Sequence, residues 1–385
     1  MYDFDSIIKR RNTNCVKWDE DKQEDIIPLW VADMDFKTAP CIQQALEKRV
    51  NHGVFGYAHV PQQYYDAVVH WFGKRHGWKI VPSNIIYTTG VVPALSAVIK
   101  AYCSKGDKIL VQTPIYNCFF SSIRNNECIL VDSPLVLNNR RYEIDFEDFE
   151  KKIIDNKVKC FLLCNPHNPA GRVWTKQELL RMGEICNKHK VLVISDEIHC
   201  ELVMPNYKYI PYASIGKAFE KNSVILCSPS KSFNIAGLQI ANIVCTEEDL
   251  SQKINKAINV NEICDVNPFG IEALIAAYTQ GESWIEELNL YIKANYDLLR
   301  AFFSKQYPYL KVVDMEGTYL AWVDVSALSK SSEEVCQLLL ERAKVRLNPG
   351  TMYGTEGFVR INLATSQALL QQALLRIKDS KVLDM

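Results

Sequence analysis

The sequence predicts an α/β fold in which a mostly parallel sheet is covered by helices on both faces. Short apolar runs alternate with segments of helical periodicity. The runs lack the period-two pattern of half-exposed strands, as strands that are buried on both faces should. The chain has 385 residues, which is too long for one ordinary core. We therefore expect one large domain built on this sheet and a second, smaller α+β domain.

Seven apolar runs are the candidate strands of the large sheet. They are NIIYTT (84–89), KILVQT (108–113), ECILVD (127–132), KCFLLC (159–164), VLVISD (191–196), SVILCS (223–228) and ANIVCT (241–246). Between them, VPALSAVIKAYCSKG (92–106) has helical spacing and ends in glycine. TKQELLRMGEICNKHK (175–190) opens with Thr175 and Glu178, which form a capping box. This order predicts parallel strands whose carboxyl ends share one edge, where such sheets bind ligands.

The pattern changes near residue 283. A long helix is expected over 283–306, followed by strands at 318–325 and 357–364 and by helices near 333–344 and 366–378. The first residues contain no complete strand–helix unit. We expect three parts: an N-terminal segment (1–45) that packs with the small domain, a large ligand-binding domain (46–282) and the small domain (283–385).

Composition narrows the classes of function. The chain is 48% hydrophobic and 23% charged with a net charge of −1, which is ordinary for a globular protein and gives no basic surface for nucleic acid. No apolar run approaches a membrane span, and the charged N-terminus MYDFDSIIKRRN does not resemble a signal peptide. Thirteen cysteines at irregular spacing favour free thiols in a reducing cytoplasm, and no motif indicates a metal site.

Unusual polar chemistry follows four of the predicted strands. Gly90 leads from a strand into a helix, and the free amide groups at the start of that helix can bind an anion. Asn168 lies in the rigid turn CNPHNPAGR (164–172), where its amide can donate to a ligand oxygen. Asp196 ends a buried strand, where a carboxylate needs a cationic partner. Taken singly, each of these features also fits a purely structural role.

Lys231 follows the last of these four strands, SVILCS (223–228), in the stretch SPSKSFNIAGLQ (228–239). A desolvated lysine beside other cations can act as a nucleophile and form a Schiff base. The neighbouring Ser228 and Ser230 are suited to hold an anion. A ligand that suits all four strand ends needs a phosphate for the Gly90 turn and an aldehyde for Lys231. It also needs a cationic ring nitrogen for Asp196 and a ring oxygen for Asn168. Pyridoxal 5′-phosphate (PLP) has all four groups.

The order NPxNPxG, SDE and SxSK resembles the fold-type I PLP enzymes of the class I/II aminotransferase superfamily over most of the chain. Within that superfamily the chain is similar to the cystathionine β-lyase/C–S lyase branch, of the MalY/PatB type. The stretches that carry this likeness are WVADMDF, FGY, TTGVVPAL, TPIY, DEIH, PSKSFNIAGLQ, TYLAW and GFVRIN. Typical aminotransferases of the superfamily tend to have tyrosine at the position of His199 and arginine at that of Gln239.

The resemblance implies a role for each site residue. Lys231 binds the cofactor covalently and then acts as the base that removes the Cα proton, and Tyr57 or Tyr116 assists the leaving group. The implied cofactor-binding residues are Lys231, Asp196, Asn168, Tyr116, Gly90, Val91, Val92, Ser228, Ser230, His199 and, from a second subunit, Tyr57. The implied substrate-binding residues are Arg360, which binds the α-carboxylate, with Ala32 and Asn168. From the residues alone, Tyr116 also fits the core and Arg360 the surface.

The resemblance also implies an activity. We expect α,β-elimination of L-cystathionine or related cysteine S-conjugates to pyruvate, ammonia and a thiol, in amino-acid metabolism such as methionine biosynthesis. The expected form is a cytoplasmic homodimer with shared active sites, without nucleic acid or membrane partners. Two alternatives remain: an aminotransferase of the same fold, and a protein-binding regulator of a transcription factor. VADMDF, DEIH and Gln239 favour the lyase.

Overall fold

The computed structural model describes residues 2–260 and 266–385. Its strands are β1 (Ile27–Pro28), β2 (Ile85–Thr88), β3 (Lys108–Val111), β4 (Ile129–Asp132), β5 (Val136–Asn138), β6 (Arg141–Glu143), β7 (Cys160–Cys164), β8 (Leu192–Asp196), β9 (Ser223–Cys227), β10 (Ala241–Cys245), β11 (Lys311–Val312), β12 (Leu320–Asp324), β13 (Val345–Arg346), β14 (Asn348–Pro349) and β15 (Phe358–Asn362).

The helices alternate with these strands through the first two thirds of the chain. They are α1 (Val16–Asp19), α2 (Pro40–His52), α3 (Gln62–His76), α4 (Val91–Tyr102), α5 (Asn117–Asn125), α6 (Phe146–Asn156), α7 (Lys176–Lys188), α8 (Lys217–Lys221), α9 (Glu248–Asn259), α10 (Pro268–Gln280), α11 (Glu282–Gln306), α12 (Ser332–Leu338) and α13 (Gln367–Ser380).

The seven expected strands form one central sheet, in the order β2–β10–β9–β8–β7–β3–β4. Six of them run in the same direction, and β10 is antiparallel to both of its neighbours. The predicted mostly parallel α/β fold is thus confirmed. The strand–helix order alone predicts that all the strands are parallel, and for β10 this is wrong. Between β9 and β10 the chain forms only the short 3-10 turn Ala236–Leu238. Without a crossover helix, the returning strand must run antiparallel.

Helices cover both faces of this sheet. One apolar core lies between the sheet and α4, α5 and α9, and a larger one contains residues of α3, α6, α7 and α10. All five residues of β7, β8, β9 and β10 are buried, which explains why their sequences are almost continuously apolar. The expected capping box is present at α7: Glu178 N donates to Thr175 Oγ1 (3.2 Å), and Thr175 N donates to Glu178 Oε2 (2.8 Å).

The helix expected over 92–106 ends earlier than its sequence indicates. It stops at Tyr102, and Cys103 already has extended backbone angles. The following turn is held by the Asp107 carboxylate, which accepts from Ser104 N at 2.8 Å. Gly106 has a φ of 86°, so it serves this turn rather than the helix end.

A second sheet lies in the C-terminal part, where β11, β12, β15 and β14 pair antiparallel in that order. The long α11 precedes it and α13 follows it. The N-terminal segment joins this part of the chain, because β1 pairs in parallel with β13 through Ile27 and Val345. After the central sheet, the chain therefore returns to its N-terminal segment, where β13 pairs with β1.

Within the described ranges, no helix combines the length and the apolar composition that a membrane crossing requires. The same residues contain no group of three or more His, Cys, Asp or Glu side chains placed to hold a metal ion.

Candidate active site

A cavity of about 200 Å³ lies where β7, β8 and β9 end and α4 begins. This is the edge at which a sheet of parallel strands binds ligands. Ten of the predicted site residues line the cavity, namely Ala32, Gly90, Val91, Val92, Tyr116, Asn168, Asp196, His199, Ser230 and Lys231. The structure thus brings together residues that lie up to 199 positions apart in the chain, as between Ala32 and Lys231.

Lys231 is partly exposed to the cavity, and its Nζ donates to the Ala32 carbonyl at 2.6 Å. The surrounding protein removes water from the ammonium group, and the positive charge of Arg360 lies nearby. Burial first, and then this charge, lower the pKa of Lys231 to about 8. A much larger fraction of the side chain is therefore neutral at physiological pH than in an exposed lysine. A neutral amine is the form that attacks an aldehyde or removes a proton.

Asp196 is the last residue of β8, and its carboxylate is buried at the cavity. Burial raises the pKa of Asp196 to about 6, although Ile198 N donates to Oδ1 at 3.1 Å. A cationic group in the cavity would offset the cost of burying this charge. Asp196 is thus suited to hold a protonated ring nitrogen.

Arg360 lies on β15 and is only 3% exposed. Its guanidinium donates to Trp30 O (2.9 Å) and to Asn168 Oδ1 (3.3 Å), which are both neutral oxygens, and it lies 4.6 Å from the centre of the Tyr353 ring. Its Nε is buried without a hydrogen-bond partner among the described residues. A buried cation with these partners is suited to an anionic ligand such as a carboxylate. Asn168 is left with its Nδ2 group to donate into the cavity.

The N-terminus of α4 at the cavity is suited to bind an anion. Gly90 precedes the helix, and the amides of Val91 and Val92 belong to its unpaired first turn. Gly90 is extended, with a φ of 163°, and a Cβ added there would meet only Pro93, at 3.4 Å. Neither the backbone nor the packing of the chain therefore requires a glycine at this position. A ligand that lies close to the backbone of residue 90 would explain the glycine, because a side chain there would block the ligand.

Ser228, Tyr57 and Arg360 are not among the residues that line the cavity, and Arg360 instead contacts the lining residue Asn168. The Ser228 hydroxyl donates to Ile240 O at 2.5 Å and accepts from Ser230 N at 3.0 Å, so it holds the loop that carries Lys231. Tyr57 lies between α2 and α3 with 94% of its surface exposed, beside the exposed Val54 and Phe55. In a single chain, Tyr57 is therefore a surface residue.

His199 and Tyr116 are held in defined protonation states by burial. The pKa of His199 is lowered to about 3 by burial and by the charges of Lys231 and Arg360, so this imidazole is neutral near pH 7. It packs edge-on against Tyr319, with the ring centres 5.9 Å apart. Burial raises the pKa of Tyr116 above its ordinary value, so its phenol keeps its proton. Tyr116 can therefore donate a hydrogen bond as a neutral phenol, and His199 is a neutral imidazole that carries no positive charge.

Two features of the site have no clear signal in the sequence. The segment 30–36, which carries Ala32, is held by a buried ionic network: Lys17 Nζ lies 2.8 Å from Asp35 Oδ2, and Arg10 donates to Asp33 and Asp35 at 2.6 and 2.7 Å. Neither cation belongs to the segment, and no local pattern connects them to it.

Asn234 holds the same segment from the other side. Its side-chain amide accepts from Met34 N (3.0 Å) and donates to the carbonyl oxygens of Met34 (3.0 Å) and Phe36 (2.8 Å). Asn234 lies three residues after Lys231, so the loop that carries the lysine also positions Ala32. Thr89, next to Gly90, is a further lining residue that the sequence did not single out.

The sequence model of the family described as aminotransferase class I and II matches residues 24–377 of this chain. The chain belongs to this family. It is 42% identical to cystathionine β-lyase PatB of Bacillus subtilis (strain 168) over 97% of this chain and 98% of that protein. It is 32% identical to protein MalY of Escherichia coli (strain K12) over 97% of each. Among solved structures it matches the PLP-bound C–S lyase of Staphylococcus hominis with a TM-score of 0.93, at 34% identity over 100% of both chains.

The residues of the cavity fit PLP on the evidence of this structure alone. A lysine with a lowered pKa faces a buried carboxylate, and the free amides of a helix N-terminus lie on the same wall. Gln239 also lines the cavity and adds no charge there. The groups of the cavity wall that are suited to a phosphate are the amides at the start of α4 and Ser230. The family membership and the chemistry of the cavity therefore agree.

Proposed function

We propose that this protein is a PLP-dependent carbon–sulfur β-lyase, which converts L-cystathionine or related cysteine S-conjugates to pyruvate, ammonia and a thiol. The observation that carries the proposal is the cavity lined by Lys231 and Asp196, with Arg360 hydrogen-bonded to the lining residue Asn168, in a chain 42% identical to a cystathionine β-lyase over nearly its whole length. Lys231 and Asp196 suit the cofactor, and Arg360 suits the carboxylate of an amino-acid substrate.

The residues of the chain divide the binding of PLP among them. Lys231 would bond to its aldehyde, Asp196 would hold the proton of its ring nitrogen, and Asn168 would donate to its ring oxygen. Tyr116 would lie against the ring, and the amides of Val91 and Val92 would bind the phosphate together with Ser230, whose loop is held by Ser228. When bound, PLP supplies an aldehyde for the substrate amine and a cationic ring that accepts the negative charge formed at Cα.

The chain itself performs three tasks on the substrate. Arg360 binds the α-carboxylate with two parallel N–H groups and fixes which bond of Cα lies near the lysine. Lys231 Nζ removes the Cα proton as general base, and its pKa of about 8 is close to the operating pH that such a base needs. Sulfur then leaves Cβ with the electron pair of the C–S bond. The neutral phenol of Tyr116 lines the cavity, where it would assist the departing sulfur by donating a hydrogen bond to it.

Assembly and location belong to the same proposal. The exposed loop residues Val54, Phe55 and Tyr57 are suited to a contact between two copies of the chain. In a homodimer, Tyr57 of the partner subunit would reach the phosphate, where this chain has the neutral Gln239. We place the enzyme in the cytoplasm and in amino-acid metabolism, with methionine biosynthesis as the expected pathway. The mass of the purified protein in solution tests the dimer.

Product analysis tests the activity. Purified protein with bound PLP is incubated with L-cystathionine, without any keto acid, and pyruvate and free thiol are measured together. The lyase produces both in equal amounts. If turnover appears only when a keto acid is added, and no thiol is released, the protein is an aminotransferase of the same fold.

Arg360→Lys tests whether Arg360 binds the substrate carboxylate through two hydrogen bonds or only through its positive charge. We expect kcat/KM for L-cystathionine to fall by about 10- to 100-fold, mainly through KM, because lysine keeps the charge but loses the second hydrogen bond. Steady-state kinetics measure the effect. Arg300→Lys is the matched control, since Arg300 is a partly exposed arginine 3.6 Å from Asp314. Equal kinetics for the two variants would show that Arg360 does not bind the substrate.

The pKa of Lys231 predicts how cofactor capture depends on pH. The neutral amine attacks an aldehyde and the ammonium does not, and the neutral fraction rises as the pH passes upward through the pKa. The rate at which the cofactor-free protein captures PLP should therefore rise up to about pH 8 and then level off. Stopped-flow absorbance measures this rate. A rate that still climbs steeply near the ordinary lysine pKa of about 10.4 would contradict the assignment.

A further inference from the structure

Two thiols lie in contact at the end of the central sheet that is opposite the cavity. Cys103 directly follows α4 and Cys160 begins β7, and their sulfur atoms are 3.2 Å apart. The other ends of the same two elements, at Val91 and Cys164, line the active-site cavity. The thiol pair is therefore separate from the site described above, and the proposed function does not use it.

The two thiols differ in how they can be reached. Cys160 has no exposed surface, because it lies in the middle of the sheet between β3 and β8. Cys103 is partly exposed. A molecule from solution can therefore meet only Cys103. The Cys160 sulfur is in a position to react with the sulfur of Cys103 and with nothing that comes from outside.

The surroundings favour a thiolate on the exposed member of the pair. A hydrogen bond from the Cys160 thiol lowers the pKa of Cys103, and the ammonium of Lys159 acts in the same direction, while burial and the Asp107 carboxylate oppose it. Burial raises the pKa of Cys160 well above its ordinary value. The pair thus combines an accessible thiol of increased acidity with a protonated thiol behind it, which is the arrangement of an attacking and a resolving cysteine.

A third thiol lies close by and provides an internal comparison. Cys128 is partly exposed, and its Sγ lies 3.7 Å from Ser104 O and 3.5 Å from Asn126 O. Burial and the nearby Cys103 raise the pKa of Cys128 to about 11. It therefore stays protonated at the pH at which Cys103 reacts, and weak contacts to carbonyl oxygens hold it.

We propose that Cys103 and Cys160 form a reversible dithiol site for low-molecular-weight disulfides. The Cys103 thiolate attacks one sulfur of a disulfide RSSR, which breaks the S–S bond, releases one RS⁻ and leaves R–S–S–Cys103. The Cys160 thiol then attacks the Cys103 sulfur, gives up its proton and displaces the second RS⁻. Two electrons pass from the protein to RSSR, which becomes two thiols, and the protein keeps a Cys103–Cys160 disulfide. An excess of thiol reverses both steps.

The test uses the intact holoenzyme and glutathione disulfide as the probe. After exposure, free thiols are blocked, the protein is digested without reductant, and the peptides are identified by mass spectrometry. We expect a peptide pair linked through Cys103 and Cys160, the loss of these two thiols in each chain, and their recovery after dithiothreitol. The Cys160→Ser variant should stop halfway and retain one glutathionyl group on Cys103.

Cys128→Ser is the matched control, since it removes the neighbouring thiol but leaves the proposed pair. It should still form the Cys103–Cys160 bond at a similar rate, because the serine hydroxyl can replace the minor hydrogen bond by which Cys128 lowers the pKa of Cys103. A link between Cys103 and Cys128 in the unaltered protein would overturn the proposal. So would glutathionyl groups that accumulate on Cys103 equally with and without Cys160, or an unreacted pair in protein whose other exposed thiols have reacted.

Discussion

Replacing Lys231 with alanine is expected to lower kcat for L-cystathionine by about 10⁴-fold, since the variant loses the general base together with the covalent bond to the cofactor. The substitution also removes the hydrogen bond from Lys231 Nζ to the Ala32 carbonyl. The variant should still bind PLP through Asp196 and the α4 amides. Pyruvate formation measures the loss, and the absorbance of the dialysed protein measures the retained cofactor.

Lys217→Ala is the control for Lys231→Ala. The Lys217 side chain is 88% exposed and pairs with Glu220 on the surface, so its removal should leave kcat unchanged. If Lys231→Ala keeps more than a small fraction of the original kcat while it remains folded, another residue removes the Cα proton. That result would leave the fold assignment intact and would overturn the role of this lysine.

Replacing Asp196 with asparagine is expected to have the next largest effect, a loss of about 10²- to 10³-fold in kcat. The amide has nearly the same shape as the carboxylate but carries no charge, so it cannot hold a proton on the cofactor ring. Burial raises the pKa of Asp196 to about 6, so the charged carboxylate needs a cationic partner in the cavity, which a protonated ring nitrogen would provide. Removal of the carboxylate therefore acts on the electronic state of the cofactor rather than on the fold.

Asp324→Asn is the control for this substitution, because Asp324 also ends a strand but lies in the second sheet, where its carboxylate accepts from the backbone amide and the hydroxyl of Ser326. The absorbance spectrum provides a second readout, since loss of the ring proton changes the light absorption of bound PLP. A normal kcat and an unchanged spectrum for Asp196→Asn would show that Asp196 does not contact the ring.

The strands were predictable because burial on both faces leaves a direct mark on composition. All seven apolar runs became strands of the central sheet, and the polar residues at their ends met at one cavity. The direction of β10 was not predictable in the same way, since apolar periodicity is identical for parallel and antiparallel strands. Only the length and content of the loop before β10 decide it.

A site residue was predictable when its side chain in that motif has one common role, and less predictable when, like serine, it has several. Lys231, Asp196 and Asn168 end up in the cavity, as the motifs indicated. Ser228 was grouped with Ser230 as an anion ligand, but its hydroxyl bonds to Ile240 O and shapes the loop instead. The Lys17–Asp35 pair was missed, because a lysine in a charged segment looks exposed until the tertiary structure buries it.

Reduction of the holoenzyme with borohydride tests the central claim most directly. Borohydride fixes the bond between the cofactor and its lysine, and mass spectrometry of the digested protein locates the resulting pyridoxyl group. The account predicts one pyridoxyl group per chain, on the peptide that contains Lys231. A pyridoxyl group on any other lysine, or none on a protein that releases pyruvate from L-cystathionine, would contradict it.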